Sequence, residues 1–370
     1  MNRRTNIINM VLSTALTLVA LVAVVLVCNS AYSHASMGEV LSLLIVGAIV
    51  SGFVITLLHE LSHVLSGKKN RFAFISMTVW FFRWIKSGDK IKFGFTMLGN
   101  EAGYTETVPT DNENLAKRLS RVTKTPLATT FVLMLLGIIP LFFATDMPLW
   151  AFSLTAMFLP IGAYSFFGNA LPAVNEGVRN DGALCKGLKI QDDESKVTLA
   201  LLSVQCELYN GKTPGEINES SYFDVPQLPE DSLNFIMLLS ARLSYYLDKS
   251  DFENAKKVKD RLLTLTEYMP KYVVKEIKTE ALYAACTYDK NTEEADDLTY
   301  ELEKFLNAVN TSSTIRAKIA YKLYVKGEKE GLDDFYNRGI REANRCPVKG
   351  LALYEKKLLS TIFLRISFLN

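Results

Sequence analysis

Two of the three histidines in the chain stand four residues apart around a glutamate, in the stretch TLLHELSHVLSG at residues 56–67. On a helix, positions i and i+4 share a face, so His59 and His63 can offer imidazole nitrogens to one metal ion while Glu60 sits beside them. The chemistry of such a trio is metal-assisted hydrolysis. Two neutral histidines hold Zn²⁺, an open position keeps a water whose pKa falls toward ~7, and the adjacent carboxylate takes that water's proton as it attacks a peptide carbonyl. With so few histidines, a chance match to His-Glu-x-x-His is expected on the order of once in several hundred such chains. A plainer reading puts the histidines at a membrane interface and pairs Glu60 with Lys68. Against it, ionisable groups at the edge of a span are costly and mark function.

A site of this kind needs a third protein ligand. His34 falls in a loop expected on the opposite side, and Ser66 and Lys69 occupy the places where an extended motif carries its glycine and third histidine. A carboxylate, or else a thiolate, must serve. The acidic residues past the last apolar run are Glu176 and Asp181, within NALPAVNEGVRNDGALCKG at residues 169–187. Asp181 precedes a glycine that permits a tight turn. Cys185, four residues on, is the thiol alternative, more readily read as a small packed hydrophobe.

The elements that must position these residues are membrane spans. Four stretches reach the ~20 apolar residues that cross a bilayer, at about residues 7–28, 40–66, 125–145 and 149–172. Arg3 and Arg4 before the first run suggest a signal peptide, but its uncharged core exceeds the usual ~7–15 residues, which favours an uncleaved span. Residues 29–39 and 146–148 carry no Lys or Arg, whereas residues 68–124 carry many, so both termini are expected in the cytoplasm. Between the second and third spans, residues 71–109 mix aromatic and β-branched types around a turn at Ser87-Gly88-Asp89 and read as an interfacial β-hairpin-like loop. A plain amphipathic sheet would suffice there; an edge strand presenting substrate is the sharper possibility.

Composition agrees with a membrane half and a soluble half. Hydrophobic residues make up 49% of the chain and the mean hydropathy is +0.13, with charged residues crowding the region after Lys186. Net charge is only +2, and there is no basic, aromatic-interleaved track, which excludes nucleic acid as a partner. Five scattered cysteines with no CxxC pair read as free thiols. From residue 190 on, amphipathic helices predominate, and SARLSYYLDKSDFENAKKVKDRLLTL and EALYAACTYDKNTEEADDLTYELEKFL look like offset copies about 40 residues apart, with Ala255 matching Ala295. The expected organisation is a membrane-embedded domain at residues 1–189 and a cytoplasmic helical domain at 190–370. The second is either a plain bundle or tetratricopeptide-like, and suited to a protein or peptide partner.

A His59-Glu60-x-x-His63 motif ending an early span, the inserted segment GYTETVP (Gly103–Pro109), and a later span followed by Asn169-x-x-Pro172 and Asp181-Gly182 together resemble the site-2 protease family of intramembrane zinc metalloproteases. The likeness covers residues 40–185. It implies an all-α polytopic membrane protein of a bacterial cell membrane that cleaves transmembrane or signal-peptide-like helices. His59, His63 and Asp181 would be zinc ligands, Glu60 the general base, and Asn169 a group holding substrate backbone or oxyanion charge. Departures are Asn180 where the family usually has leucine, a longer step from Pro172 to Asp181, TKTPLATTF in place of a Gly-Pro signature, and no PDZ-like insert. The rival expectations are a catalytically silent membrane scaffold or sensor acting through its helical repeats, and a metal transporter, which the few polar residues in the later spans disfavour.

Overall fold

The computed structural model describes residues 3–96, 102–175 and 177–367. The chain divides into two compact units, one of Met1–Ile85, Ile91–Thr107 and Glu113–Asp192, the other of Lys86–Lys90, Val108–Asn112 and Asp193–Asn370. The main break falls between Asp192 and Asp193, and the second unit also takes in two short pieces from the inserted loop.

The first unit is built on α1 (Arg3–Ala31) and α2 (Met37–Lys69), then strands β1 (Phe72–Val79), β2 (Phe82–Ser87), β3 (Lys90–Phe95) and β4 (Gly103–Pro109). There follow α3 (Leu115–Leu136), the short α4 (Ile139–Phe142), α5 (Leu149–Ala156), α6 (Phe158–Ala170), the two-residue strands β5 (Val174–Asn175) and β6 (Val178–Arg179), and α7 (Asp181–Ile190). Four stretches are long and apolar enough to cross a membrane: Thr5–Ala31, Met37–Lys69, Leu115–Phe142 and Leu149–Ala170. Their surfaces invert the pattern of a water-soluble bundle. Val19, Leu26, Ile49 and Phe142 are exposed, while Ser51, Thr130 and Ser153 are fully buried between helices. Small and hydroxyl-bearing residues at helix contacts, with aliphatic residues outward, are compatible with packing in lipid.

Two boundaries differ from expectation for local reasons. The third helix starts at Leu115, well before residue 125, because Lys117, Arg118, Arg121 and Lys124 form charged first turns ahead of the apolar run. The fourth ends at Ala170, before residue 172. Leu171 precedes a proline and is extended (φ −73°, ψ 122°), as the steric clash with the proline ring demands. The inserted loop is more than a hairpin: it forms a four-stranded sheet in the order β3-β2-β1-β4, with Ser76 opposite Ile85 and Val79 opposite Phe82 in the antiparallel β1–β2 pair. Gly88 supplies the positive φ (+60°) of the β2–β3 turn. β1 packs on α2, and the strand order makes β3 and β4 the two edge strands.

From Asp193 on, the second unit is built of helices: α8 (Asp193–Tyr209), α9 (Ser220–Phe223), α10 (Leu233–Lys249), α11 (Phe252–Thr264), α12 (Lys271–Thr287), α13 (Thr292–Ala308), α14 (Ser312–Tyr324), α15 (Leu332–Arg345) and α16 (Lys349–Ser367). The α10–α11 and α12–α13 pairs share one turn design. A residue with positive φ (Ser250, Lys290) precedes a cap (Asp251, Asn291) that accepts from the amide three residues on, and a fully buried alanine follows (Ala255, Ala295). That shared turn gives the sequence step of about 40 residues a structural meaning. Asp248, at the end of α10, is buried between Gly215 N–H (2.7 Å) and the Lys357 ammonium (2.6 Å).

Candidate metal centre

His59, His63 and Asp181 come together although 118 residues of chain separate the last two. Asp181 Oδ2 lies 3.4 Å from His59 Nε2 and 3.5 Å from His63 Nε2, with all three side chains largely shielded. Those separations are too long for good hydrogen bonds, which lie at about 2.7–3.2 Å, and Oδ2 is buried without a hydrogen-bond partner. They do match the edge of a tetrahedron whose ligands stand ~2.1 Å from a central ion, an edge of about 3.4 Å.

The protonation of His59 follows from its other nitrogen. His59 Nδ1 is 2.9 Å from Thr130 Oγ1, and that hydroxyl spends its single proton on the Pro126 carbonyl (2.9 Å). Thr130 therefore accepts from Nδ1–H, and His59 Nε2 faces Asp181 as a lone pair. The three ligand atoms, all within 4.8 Å of one another, could hold a metal ion among them. The two-imidazole, one-carboxylate donor set fits Zn²⁺.

Hydroxyls on α3 fix the α2 helix that carries the histidines. Ser62 Oγ donates to Thr129 Oγ1 (2.8 Å), and Ser66 and Thr125 hydroxyls meet at 3.0 Å, so the face of α2 bearing 59, 62 and 66 is zipped to one threonine-rich face. Asp181 is delivered differently, by the turn between α6 and α7. Asn180 caps α7 and makes four bonds: Oδ1 accepts from Ala183 N–H (2.9 Å) and Ala173 N–H (3.0 Å), while its amide donates to Gly168 and Leu171 carbonyls (both 2.7 Å). The departure from leucine at this position thus has a use. Gly182 serves close approach rather than the turn expected of it: its φ is not positive, and a Cβ there would stand 2.1 Å from the Ala170 carbonyl oxygen. From the chain's start, Asn6 brackets Val174 (Nδ2 to O 2.9 Å, N to Oδ1 3.0 Å) and Asn9 donates to Pro172 O (2.7 Å), tying α1 to the same turn.

Glu60 is buried under β4. Thr105 Oγ1 donates to Glu60 Oε2 (2.6 Å), and Gly103 passes so close that a Cβ would sit 2.6 Å from Oε1. The edge strand and the carboxylate beside the histidines are therefore one assembly. Asn169 lies one residue before the end of α6 with its carboxamide donating to the Ser165 carbonyl (2.9 Å) of the same helix. His34 is exposed in the connection from α1 to α2, at the other end of α2 from His59. Cys185 is outside the converging group, and burial, then Asp181, push its thiol up. Glu176 lies outside the described residues. Sequence reasoning missed Thr130, Thr105 and Asn180; the one available signal was the run of threonines at 125, 129 and 130 inside an apolar segment. In comparisons with protein-family models, with curated proteins and with solved structures, nothing matches this chain.

Proposed function

We propose that the chain is a zinc-dependent intramembrane endopeptidase, a divergent relative of the site-2 protease family, acting on transmembrane or signal-peptide-like helices. The observation that carries this reading is the convergence of His59, His63 and Asp181 beside Glu60 on a helix long and apolar enough to span a membrane. His59, His63 and Asp181 would hold the ion, which when bound lowers the pKa of a water and polarises the scissile carbonyl. Glu60 takes a proton from the attacking water and returns it to the amide nitrogen as the C–N bond breaks, so one water is consumed per bond cleaved. Thr105 and Gly103 keep that carboxylate in place.

A helical substrate hides its peptide bonds in its own hydrogen bonds and must unwind first. As the edge strand beside Glu60, β4 is read as the place where an unwound segment adds by strand addition. Asn169 is assigned to substrate backbone or oxyanion charge, a role that requires its amide to leave Ser165. The helix-pair repeat of the second unit is read as a tetratricopeptide-like cytoplasmic domain for a protein or peptide partner, and the basic loops as facing the cytoplasm of a bacterial cell.

The test is zinc content and cleavage of a model transmembrane helix by detergent-purified full-length protein, wild type against Glu60→Gln. Zinc in both, with cleavage reduced by roughly 10²-fold or more in the variant, is expected. Equal cleavage by the two would remove Glu60 from the chemistry, and absence of zinc in both would replace the enzyme with a silent scaffold.

A further inference from the structure

A second polar site stands where α2 ends and α3 begins. A pocket of about 280 Å³ is lined there by Lys69, Arg71, Lys117, Arg118 and Arg121, with Glu113 the single carboxylate. It is a built site. Arg118 is buried, its guanidinium donating to the Asn70 and Arg71 carbonyls (3.2 and 3.4 Å) and standing 5.6 Å from the Phe72 ring centroid, so one charge is fixed in the wall. Arg71 pairs with Glu113 at 3.3 Å, both mostly exposed, an ion pair an incoming anion can open. Among the described residues no carboxylate pairs with Lys69, Lys117 or Arg121.

Position identifies the ligand. Leu65, one turn before Lys69 on α2, is 60% exposed on the apolar surface of the helix, and at 1.5 Å per residue the pocket begins about 6 Å further along. A bilayer's polar layer is about 5–7 Å thick on each side of its hydrocarbon core. A concave cluster of cations at that depth matches the phosphate of a lipid headgroup, with guanidinium groups suited to its oxygens. We infer that this pocket binds the phosphate of an anionic bilayer lipid. The inference stands apart from the metal centre and does not depend on peptidase activity.

Native mass spectrometry of the full-length protein, titrated with phosphatidylglycerol or phosphatidylcholine, tests it, with Lys69→Gln/Lys117→Gln/Arg121→Gln against the control Arg83→Gln/Lys90→Gln/Lys92→Gln. At roughly fivefold per basic residue, the pocket variant should lose about two orders of magnitude in phosphatidylglycerol affinity. The control should keep wild-type affinity, and phosphatidylcholine binding should be weak in all three. Equal affinity for the two lipids, or equal loss in pocket variant and control, overturns the site. Inorganic phosphate that binds the wild type but not the pocket variant, with no pocket-dependent lipid binding, overturns the lipid as its source.

Discussion

Replacing Gly182 by alanine should empty the metal centre without touching a ligand. The added Cβ would stand 2.1 Å from the Ala170 carbonyl oxygen, 2.6 Å from its carbon and 2.9 Å from the Asn169 carbonyl oxygen. All three are backbone atoms at the end of α6, with no side chain to swing aside. Ordinary contact begins near 3.4 Å. The start of α7 must therefore yield by about 1.3 Å, and Asp181 is the adjacent residue, whereas metal–ligand distances hold to within about 0.2 Å. The carboxylate cannot follow the helix and stay bound. Zinc affinity should fall by at least the 10–100-fold typical of losing a ligand's support, and by more if Asp181 leaves altogether. The assay is competition with a chromophoric chelator on detergent-purified protein, with circular dichroism and gel filtration to establish that the helices persist. Gly94→Ala, in β3 with nothing within 4 Å of the new carbon, is the matched control. Wild-type zinc affinity in an intact Gly182→Ala protein would refute the claim that this contact sets Asp181.

Thr130→Val removes the acceptor that fixes the His59 tautomer while keeping side-chain shape, so zinc binding should weaken 10–100-fold in the same chelator assay, with no loss of helical content. In the second unit, burial works to raise the Asp248 carboxyl, but Lys357 and the Thr213 and Gly215 contacts more than offset it and hold it below its ordinary value of 3.8. A depressed folded pKa gives stability that is complete above the ordinary value and is lost as pH falls through the lower one. Hydrogen-exchange protection in α10 and α16 of the full-length protein, taken relative to the intrinsic exchange rate at each pH, should fall below about pH 4 in the wild type. Asp248→Asn should exchange faster at neutral pH, by the roughly 1–3 kcal/mol of a disrupted buried bond, with a flatter acid response.

What could be read in advance was whatever repeats along the chain or follows from spacing. The i, i+4 histidines declare a helix face by themselves, and four apolar runs declare four long helices. Ala255 and Ala295 declare a repeat because a cap and a turn recur with them. The supports of the site obey no such period. Thr130 meets His59 across 71 residues and Thr105 meets Glu60 across 45, so each is one more hydroxyl until the helices and the sheet are packed. Asn180 looked like a lapse from the family pattern because its value lies in four backbone groups that only the folded turn brings within reach. Gly182 was legible as a glycine but not for its reason, since close approach to α6 leaves no mark in local sequence.

The bracket of Asn6 around Val174 joins residues 168 apart, and it has a consequence for the order in which the molecule is made. Synthesis runs from the amino terminus, so the first helix to emerge waits through the whole of the sheet and the next three apolar runs before its polar partner exists. Until the ribosome has passed Asp181 the histidines lack their carboxylate, and until the turn docks on α1 that carboxylate lacks its seat. A metal held by the three would therefore be captured late in the life of the chain, and a nascent copy carries two imidazoles on α2 but no closed site.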